Sequence, residues 1–395
     1  MNWIQRVTTA CQENEAPEVF FYWASLAAIA ASVKKQIFLN RFYYRLYPNI
    51  YVFLVAKSGM KKGVPIVLAK TLVEHAKSAR VVSGRNSMPR IILDLSKART
   101  IEGGGIVKNA QCLMVSGELA SFLVRDPDAL TILTDLHDTH AYEKEWTNSL
   151  KGTGVDVLHE PCITLLGATN EEHFADAVPA NAIGGGFIAR TFIIYSTLRG
   201  QLNSLTQRPQ NTIDIAALAK DLERISKVKG EFKWGEGAIE TYDAWYYPFM
   251  REDHHDPTGT MNRMGDQILK VAMLLSLADD DKLVLHPQHV KEAIAVSLDC
   301  VSGVRQITMG AGKSNLALQT KSVLRELIIR PDHQIERQKL LQKFWGDMDA
   351  FDLDKIIETL QGAGAIEVVR HGKKTILILK EEALKQYTAF KSSIQ

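Results

Sequence analysis

The chain is short of cysteine, carries almost no net charge, has no apolar run of membrane-spanning length and shows no internal repeat. Each absence narrows what it can be. Its four cysteines, Cys11, Cys112, Cys162 and Cys300, lie far apart, without the paired spacing of a zinc module or a redox motif. They read as buried thiols of a reducing, cytoplasmic compartment. A formal charge of +2 supplies no global field for recruiting a polyanion, so any nucleic acid must be met by a local patch. The longest apolar stretch, Val19 to Val33, falls short of the ~20 residues a spanning helix needs. It follows the acidic segment Glu13 to Glu18 and ends at Lys34-Lys35, which is the wrong order for a signal peptide. A buried helix is expected there, and no membrane partner.

What is present is the composition of a folded chain, with 46% hydrophobic and 23% charged residues over 395 positions, enough for about two to four structural units. Residues 1 to 35 read as two helices, the second opened by Glu15-Ala16-Pro17. A continuous apolar run at Ile50 to Val55 predicts a strand covered on both faces, and further apolar strand candidates lie at Arg80 to Val82, Cys112 to Val115, Cys162 to Gly167 and Thr191 to Tyr195. Their alternation with helical segments predicts a mainly parallel α/β sheet. Beyond Arg199 the pattern becomes helical, over Ile213 to Val228, Gly235 to Arg251, Thr260 to Ala278 and Pro287 to Gln306. After the break at Gly310-Ala311-Gly312, helices at Leu318 to Ile329, Arg337 to Phe344 and Asp352 to Gln361 precede strands at Ala365 to Val369 and Thr375 to Leu379, the order of a winged helix-turn-helix. The expected division is an N-terminal helical segment (1–45), a sheet core (46–200), a helical lid (201–310) and a winged helix (316–395).

The first strand leads into Ala56-Lys57-Ser58-Gly59-Met60-Lys61-Lys62-Gly63 and then a helix. That context suits phosphate, because loop amides and the helix N-terminus would cradle it and Lys62 would reach the terminal phosphates. Against G-x-x-x-x-G-K-[ST], Ala56, Lys61 and Gly63 stand where Gly, Gly and a hydroxyl are usual, so a basic strand-to-helix turn fits equally. Gln111 to Val115 runs into Ser116-Gly117-Glu118, an acid at the end of an apolar strand; a solvated helix-starting Glu is the plain alternative. Ile163 to Thr169 ends in Asn170, placed to orient an attacking water or to cap the next helix. Gly184-Gly185-Gly186-Phe187-Ile188-Ala189-Arg190 precedes the last core strand, and Arg263 opens a helix whose apolar face includes Ile268, Val271, Ala272 and Leu275. Either arginine could stabilise phosphate charge or form a surface ion pair.

Taken in order, these elements resemble the Walker A, Walker B, sensor 1, arginine-finger and sensor 2 positions of AAA+ ATPases. Ala16-Pro17, Tyr22-Trp23, Tyr47-Pro48-Asn49-Ile50-Tyr51, Ser58 to Gly63, Ile183 to Phe187 and Arg190 resemble divergent P-loop ATPases of phages and other mobile elements. The likeness spans roughly residues 16 to 280, with similarity to superfamily 3 and minichromosome-maintenance helicase cores. It implies a replication-associated ATPase that uses ATP and Mg²⁺, assembles as a homo-hexamer or other ring, and acts on single- or double-stranded DNA, with replication proteins as further partners. Gly63 and Ser116 remove both side chains that usually organise Mg²⁺, leaving Glu118 or Asp135 to assist.

Two basic features offer phosphate contacts. The turn Lys151-Gly152-Thr153-Gly154, between strand-like flanks, resembles the hairpin that projects into the channel of such helicases, with Lys151 at its tip; it also fits an ordinary exposed hairpin. The wing, Arg370-His371-Gly372-Lys373-Lys374, brings Arg370, Lys373 and Lys374 together, whereas the preceding helix sets Asp352, Asp354 and Glu358 against Lys355 alone and is ill-suited to reading DNA. A motor that translocates on nucleic acid and a nucleotide-dependent assembly switch, loader or initiator with little or no hydrolysis remain the two functional expectations. A DNA-binding scaffold without ATPase activity is a third.

Overall fold

In the computed structural model the described residues are all except 85, 103–104, 119–122, 124–125, 127, 140–143, 151–153, 172, 175–185, 205–212, 255, 257, 312–314, 347, 373 and 381–395. They form two compact units, Met1–Ala311 and Gly312–Gln395.

The first unit opens with α1 (Trp3–Ala10), started by a reciprocal capping box between Asn2 and Gln5. It continues with α2 (Glu18–Val33), whose φ-restricted Pro17 stands at the N-cap. Almost every α2 side chain from Phe20 to Val33 is buried, which accounts for an apolar run with little helical periodicity. A hairpin follows, β1 (Ile37–Arg41) and β2 (Tyr44–Leu46), and then β3 (Tyr51–Val55), α3 (Gly63–His75), β4 (Arg80–Val82) and α4 (Met88–Ser96). Next come a second hairpin, β5 (Arg99–Glu102) and β6 (Gly105–Lys108), then β7 (Gln111–Ser116), α5 (Ala129–His137), a third hairpin, β8 (Glu145–Leu150) and β9 (Gly154–His159), β10 (Cys162–Thr169) and β11 (Thr191–Tyr195).

Five of these strands form one parallel sheet in the order β11-β3-β10-β7-β4. β3 is buried at every position, as a central parallel strand must be. Its pleat sends Val52 and Leu54 into one core, with Trp23, Leu26 and Leu72. Tyr51, Phe53 and Val55 enter the other, with Ile91, Leu133 and Phe187. The result is three layers, in which α2 covers one face; the rings of Trp23 and Phe192 lie 4.5 Å apart. The N-terminal helices thus share the core of the sheet.

The remainder of this unit is mainly helical, with α6 (Ile215–Ile225), α7 (Ala238–Arg251), α8 (Thr260–Asp279) and α9 (Pro287–Ala311). One short strand stitches it to the first hairpin, β12 (Gly230–Glu231) pairing with β1, and another pair, β13 (Lys233–Trp234) with β14 (Val284–Leu285), lies within it.

The second unit contains α10 (Asn315–Ile329), β15 (Gln334–Glu336), α11 (Arg337–Phe344), α12 (Ala350–Gly362), β16 (Ile366–His371) and β17 (Lys374–Leu379). Its antiparallel sheet has the order β15-β17-β16, closed over Val323, Leu327, Leu340, Ile356 and Leu377. Asp349 caps α12 by accepting from the amides of Phe351 and Asp352. The three-residue β15 adds a strand to the two that the sequence predicts here. Among the described residues the chain is therefore mixed α/β with 12 helices, none long and apolar enough to cross a membrane.

Candidate nucleotide site

The loop between β3 and α3 leaves the carboxyl end of the sheet. It turns through two left-handed residues, Gly59 at φ +82° and Lys61 at φ +52°. The second costs a side-chain-bearing residue about 1–2 kcal/mol, strain of the sort stored where a loop is held for a purpose. Lys62 folds across this turn, its Nζ donating to the carbonyls of Ala56 at 2.7 Å and Lys57 at 2.9 Å. Burial pulls the Lys62 pKa down, while the charges of Glu118 and Glu171 push it up. No side chain caps α3 and no acid occupies its first turn, so the positive end of the helix faces the loop uncompensated. Pro65 removes one amide from that first turn. Lys61 lies 3.9 Å from Glu15, which ties the loop to the corner before α2. Ser58 and Gly63 are exposed on the two sides of the turn.

Sheet order decides what lies beside this loop. Because β10 is inserted between β3 and β7, Asn170 leaves the sheet between the loop and Ser116-Gly117-Glu118. Asn170 Oδ1 accepts from the amide of His173 at 2.7 Å, so it acts as a local cap in this conformation. The neighbouring Glu171 accepts from the Tyr195 hydroxyl at 3.0 Å. A cleft of about 650 Å³ runs from Gly63 past Ser116 to the exposed Glu118 and to Asp126; the Asp126 carboxylate accepts from the Met88 amide at 2.9 Å. Oxygen donors along this cleft suit Mg²⁺. Among the described residues no group of three or more His, Cys, Asp or Glu side chains could hold a metal alone, so phosphates and water would have to complete its shell. Asp135 does not contribute. It is exposed on α5, whose neighbouring Leu133 and His137 carbonyls meet Tyr51 and Asn49 at the other end of the strands.

The two arginines are also at that far end. Arg190 immediately precedes β11, and the β11–β3 register runs from Thr191↔Tyr51 to Tyr195↔Val55. Arg190 therefore sits about one strand length, roughly 16 Å at ~3.3 Å per residue, from its own loop. Its Nε and Nη2 donate to Asp138 Oδ2 at 3.1 and 2.5 Å. Arg263 Nη1 reaches the same oxygen at 3.5 Å. Arg263 thus shares Asp138 with Arg190 at the amino ends of the strands.

Beneath this pair lies a buried network that sequence reasoning missed. Lys270, on the same helix as Arg263, donates to both the backbone carbonyl and Oδ1 of Asn49, at 3.0 and 3.1 Å. Burial lowers its pKa to about 8, against the opposing pull of Asp138 and Asp266. His137 is held neutral, its pKa lowered to about 3 by burial and by Lys270, even though Asp138 favours its charged form. A neutral ring that donates from Nδ1 to Asp138 (3.0 Å) leaves Nε2 to accept from Lys270 (3.5 Å), satisfying both contacts. Burial would raise the Asp138 pKa, but hydrogen bonds from His137 and Arg190 outweigh it and leave it lowered. A lysine amid the apolar run Ile268 to Ala278 was the signal available in the sequence.

Of the nucleic-acid candidates, the hairpin flanking Lys151 is present as β8 and β9 in antiparallel register, while Lys151 itself lies outside the described residues, as does Lys373. Arg370 is exposed on β16, and Lys374 at the start of β17 stands 3.7 Å from Glu336. No protein-family model matches the chain, and no curated protein matches it.

Proposed function

We propose that the chain is an AAA+-type P-loop ATPase whose first unit binds ATP at residues 56–63 and whose second unit is a winged helix. In this reading it assembles into a ring that moves on or separates nucleic acid in mobile-element replication. The observation that carries it is the insertion of β10 between β3 and β7. This brings a lysine-bearing loop, an amide and a carboxylate to one end of a parallel sheet, the end where open α/β sheets bind ligands.

Lys62 exchanges its loop carbonyls for terminal phosphates, and the α3 N-terminus meets the remaining charge. Glu118 accepts a proton from the attacking water, which Asn170 helps orient. Bound Mg²⁺ supplies charge neutralisation between phosphates. Arg190, remote from its own loop, acts on a neighbouring copy, with Arg263 beside it.

A second reading, a nucleotide-dependent assembly switch with slow hydrolysis, is favoured by Gly63 and Ser116 in place of metal-organising side chains, and by Asp138 holding both arginines. Titration with a fluorescent ATP analogue tests the common premise: Lys62→Ala should lose tenfold or more in affinity, and Lys61→Ala/Lys62→Ala more. Full affinity in the double variant would remove the site. ATP-dependent strand separation then separates motor from switch.

A further inference from the structure

The turn of the β1–β2 hairpin is made by Phe42 and Tyr43, each 99% exposed. Two-residue hairpin turns ordinarily carry Asn-Gly or Asp-Gly, which tolerate positive φ. Here Phe42 itself takes φ +58°, a conformation disfavoured for a bulky side chain. The chain thus gives up both ring burial and backbone comfort to hold two aromatic rings outward. The stem beneath them is fixed. Tyr44 donates to Asp266 at 2.7 Å, Arg41 pairs with Asp266 at 3.5 Å, and Arg45 lies 4.7 Å over the Phe38 ring. Within the hairpin, Ile37 to Leu46, the charged residues are Arg41 and Arg45, and Asp266 already pairs with the first, so Arg45 is the cation that this aromatic knob offers.

A feature of opposite character lies at the other end of the strands. A cleft of about 400 Å³, within the range of roughly 300–1,000 Å³ that holds ring-sized ligands, opens between the start of α2, the end of β11 and α9. Val19, Tyr22, Trp23 and Ile194 supply its apolar walls, Glu18 and Asp299 its charges, and among the described residues no cation lines it. The knob is anchored through Asp266 on α8 beside Arg263 and Lys270, which reach Asp138 and Asn49 at the amino ends of the strands. The cleft is closed by Ile194 and Tyr195 at the carboxyl end of β11. One rigid chain cannot bring the two together.

We propose that Phe42 and Tyr43 of one molecule dock into the cleft at Tyr22 and Ile194 of the next, a head-to-tail contact between copies of this chain. Aromatic rings enter apolar walls, and the exposed Arg45 approaches Glu18 and Asp299, so shape and charge agree. Such a heterologous contact propagates into a ring or a filament. The same step carries Arg190 and Arg263 toward the neighbour's loop 56–63; that consequence, unlike the docking itself, rests on the ATPase reading.

The test uses the full chain without nucleotide, in sedimentation velocity across a micromolar concentration series, with circular dichroism confirming the fold of each variant. Phe42→Ser/Tyr43→Ser, and separately Val19→Arg in the exposed lip of the cleft, should each raise the association midpoint at least tenfold. Under mild oxidant, Tyr43→Cys mixed with Val19→Cys should give a disulfide-linked dimer that neither variant gives alone. The same pair in a Lys62→Ala background should still cross-link, so that a failed ATP site and a failed docking contact are told apart. A wild-type chain that stays monomeric, or a mixture that does not cross-link, overturns the proposal. So does a serine double variant that associates normally but loses affinity for fluorescent oligothymidine, which would make the rings a base-stacking surface.

Discussion

Asp138 receives Arg190 side-on, taking hydrogen bonds from Nε and Nη2 on a single carboxylate oxygen. The guanidinium is only 11% exposed and the carboxylate 21%, so the pair is screened far less than a surface bridge. Arg263 shares that oxygen from a more exposed position.

Asp138→Asn should therefore leave Arg190 under-compensated in a largely buried site. Losing one partner of a buried pair costs about 3–5 kcal/mol, and partial exposure of the carboxylate reduces this to roughly 2–3 kcal/mol. Chemical denaturation measures the effect. In the ATPase reading the same variant frees both arginines and should increase nucleotide-linked assembly. A variant as stable as wild type would show that the pair contributes little.

His137 gives a pH dependence of definite sign. Its folded pKa near 3 lies below the ~6.5 of an unfolded histidine, so between these values the unfolded chain binds more protons. Stability is then complete above pH ~6.5 and declines on acidification toward pH 3, by up to about 1.4 kcal/mol per pH unit where only the unfolded form is protonated. His137→Gln should flatten the urea midpoint between pH 6.5 and 4.5. Asp138, whose pKa is also depressed, adds a destabilisation of the same sign at lower pH. An unchanged slope in the variant would place the titration elsewhere.

In the ATPase reading, Glu118→Gln should preserve nucleotide affinity and lower turnover, since the amide keeps the shape but accepts no proton. Because Glu118 is exposed at a strand end, stability should change by less than about 0.5 kcal/mol. Steady-state phosphate release and thermal unfolding measured on one preparation check both halves. Equal turnover in variant and wild type would move the base to another group in the cleft, Asp126 first.

If the second unit binds nucleic acid as proposed, Arg370→Ala/Lys374→Ala should weaken single-strand binding similarly across sequences. The logarithmic salt slope should fall by about 0.7 for each phosphate the wing ceases to neutralise. Lys374→Ala alone should do less, because Glu336 already faces it. Fluorescence anisotropy at several salt concentrations reads this directly, beside Lys151→Ala as the comparison. Unchanged binding in both would argue against nucleic acid as the substrate.

All five strands of the parallel sheet were legible in the sequence, β4 among them although Arg80 is exposed. Thr191 to Tyr195 has the expected bounds, and Tyr51 to Val55 differs from expectation by one residue, since a continuous apolar run bounded by polar residues admits few alternatives. The β1–β2 hairpin was illegible because Phe42-Tyr43 has none of the usual turn chemistry. β15 was too short to carry a pattern. For Arg190 and Arg263 the sequence left their common partner, Asp138, open. Chain order can place a residue before a strand, but only register and helix direction decide which end of the sheet it shares with what. Lys270 was visible as an anomaly in an apolar helix, whereas its partner Asn49, an asparagine after a proline at the start of a strand, gave no sign of its role.

The burial of α2 has a consequence for biosynthesis. This helix emerges early, and although α1 and α3 pack on it, the rest of its covering comes from the sheet, α6 and α8, the last of which ends at Asp279. Until that point has left the ribosome, a sticky sixteen-residue rod is only partly covered. Nascent chains stalled before it should depend on holdase chaperones, because exposed apolar surface on incomplete domains drives aggregation.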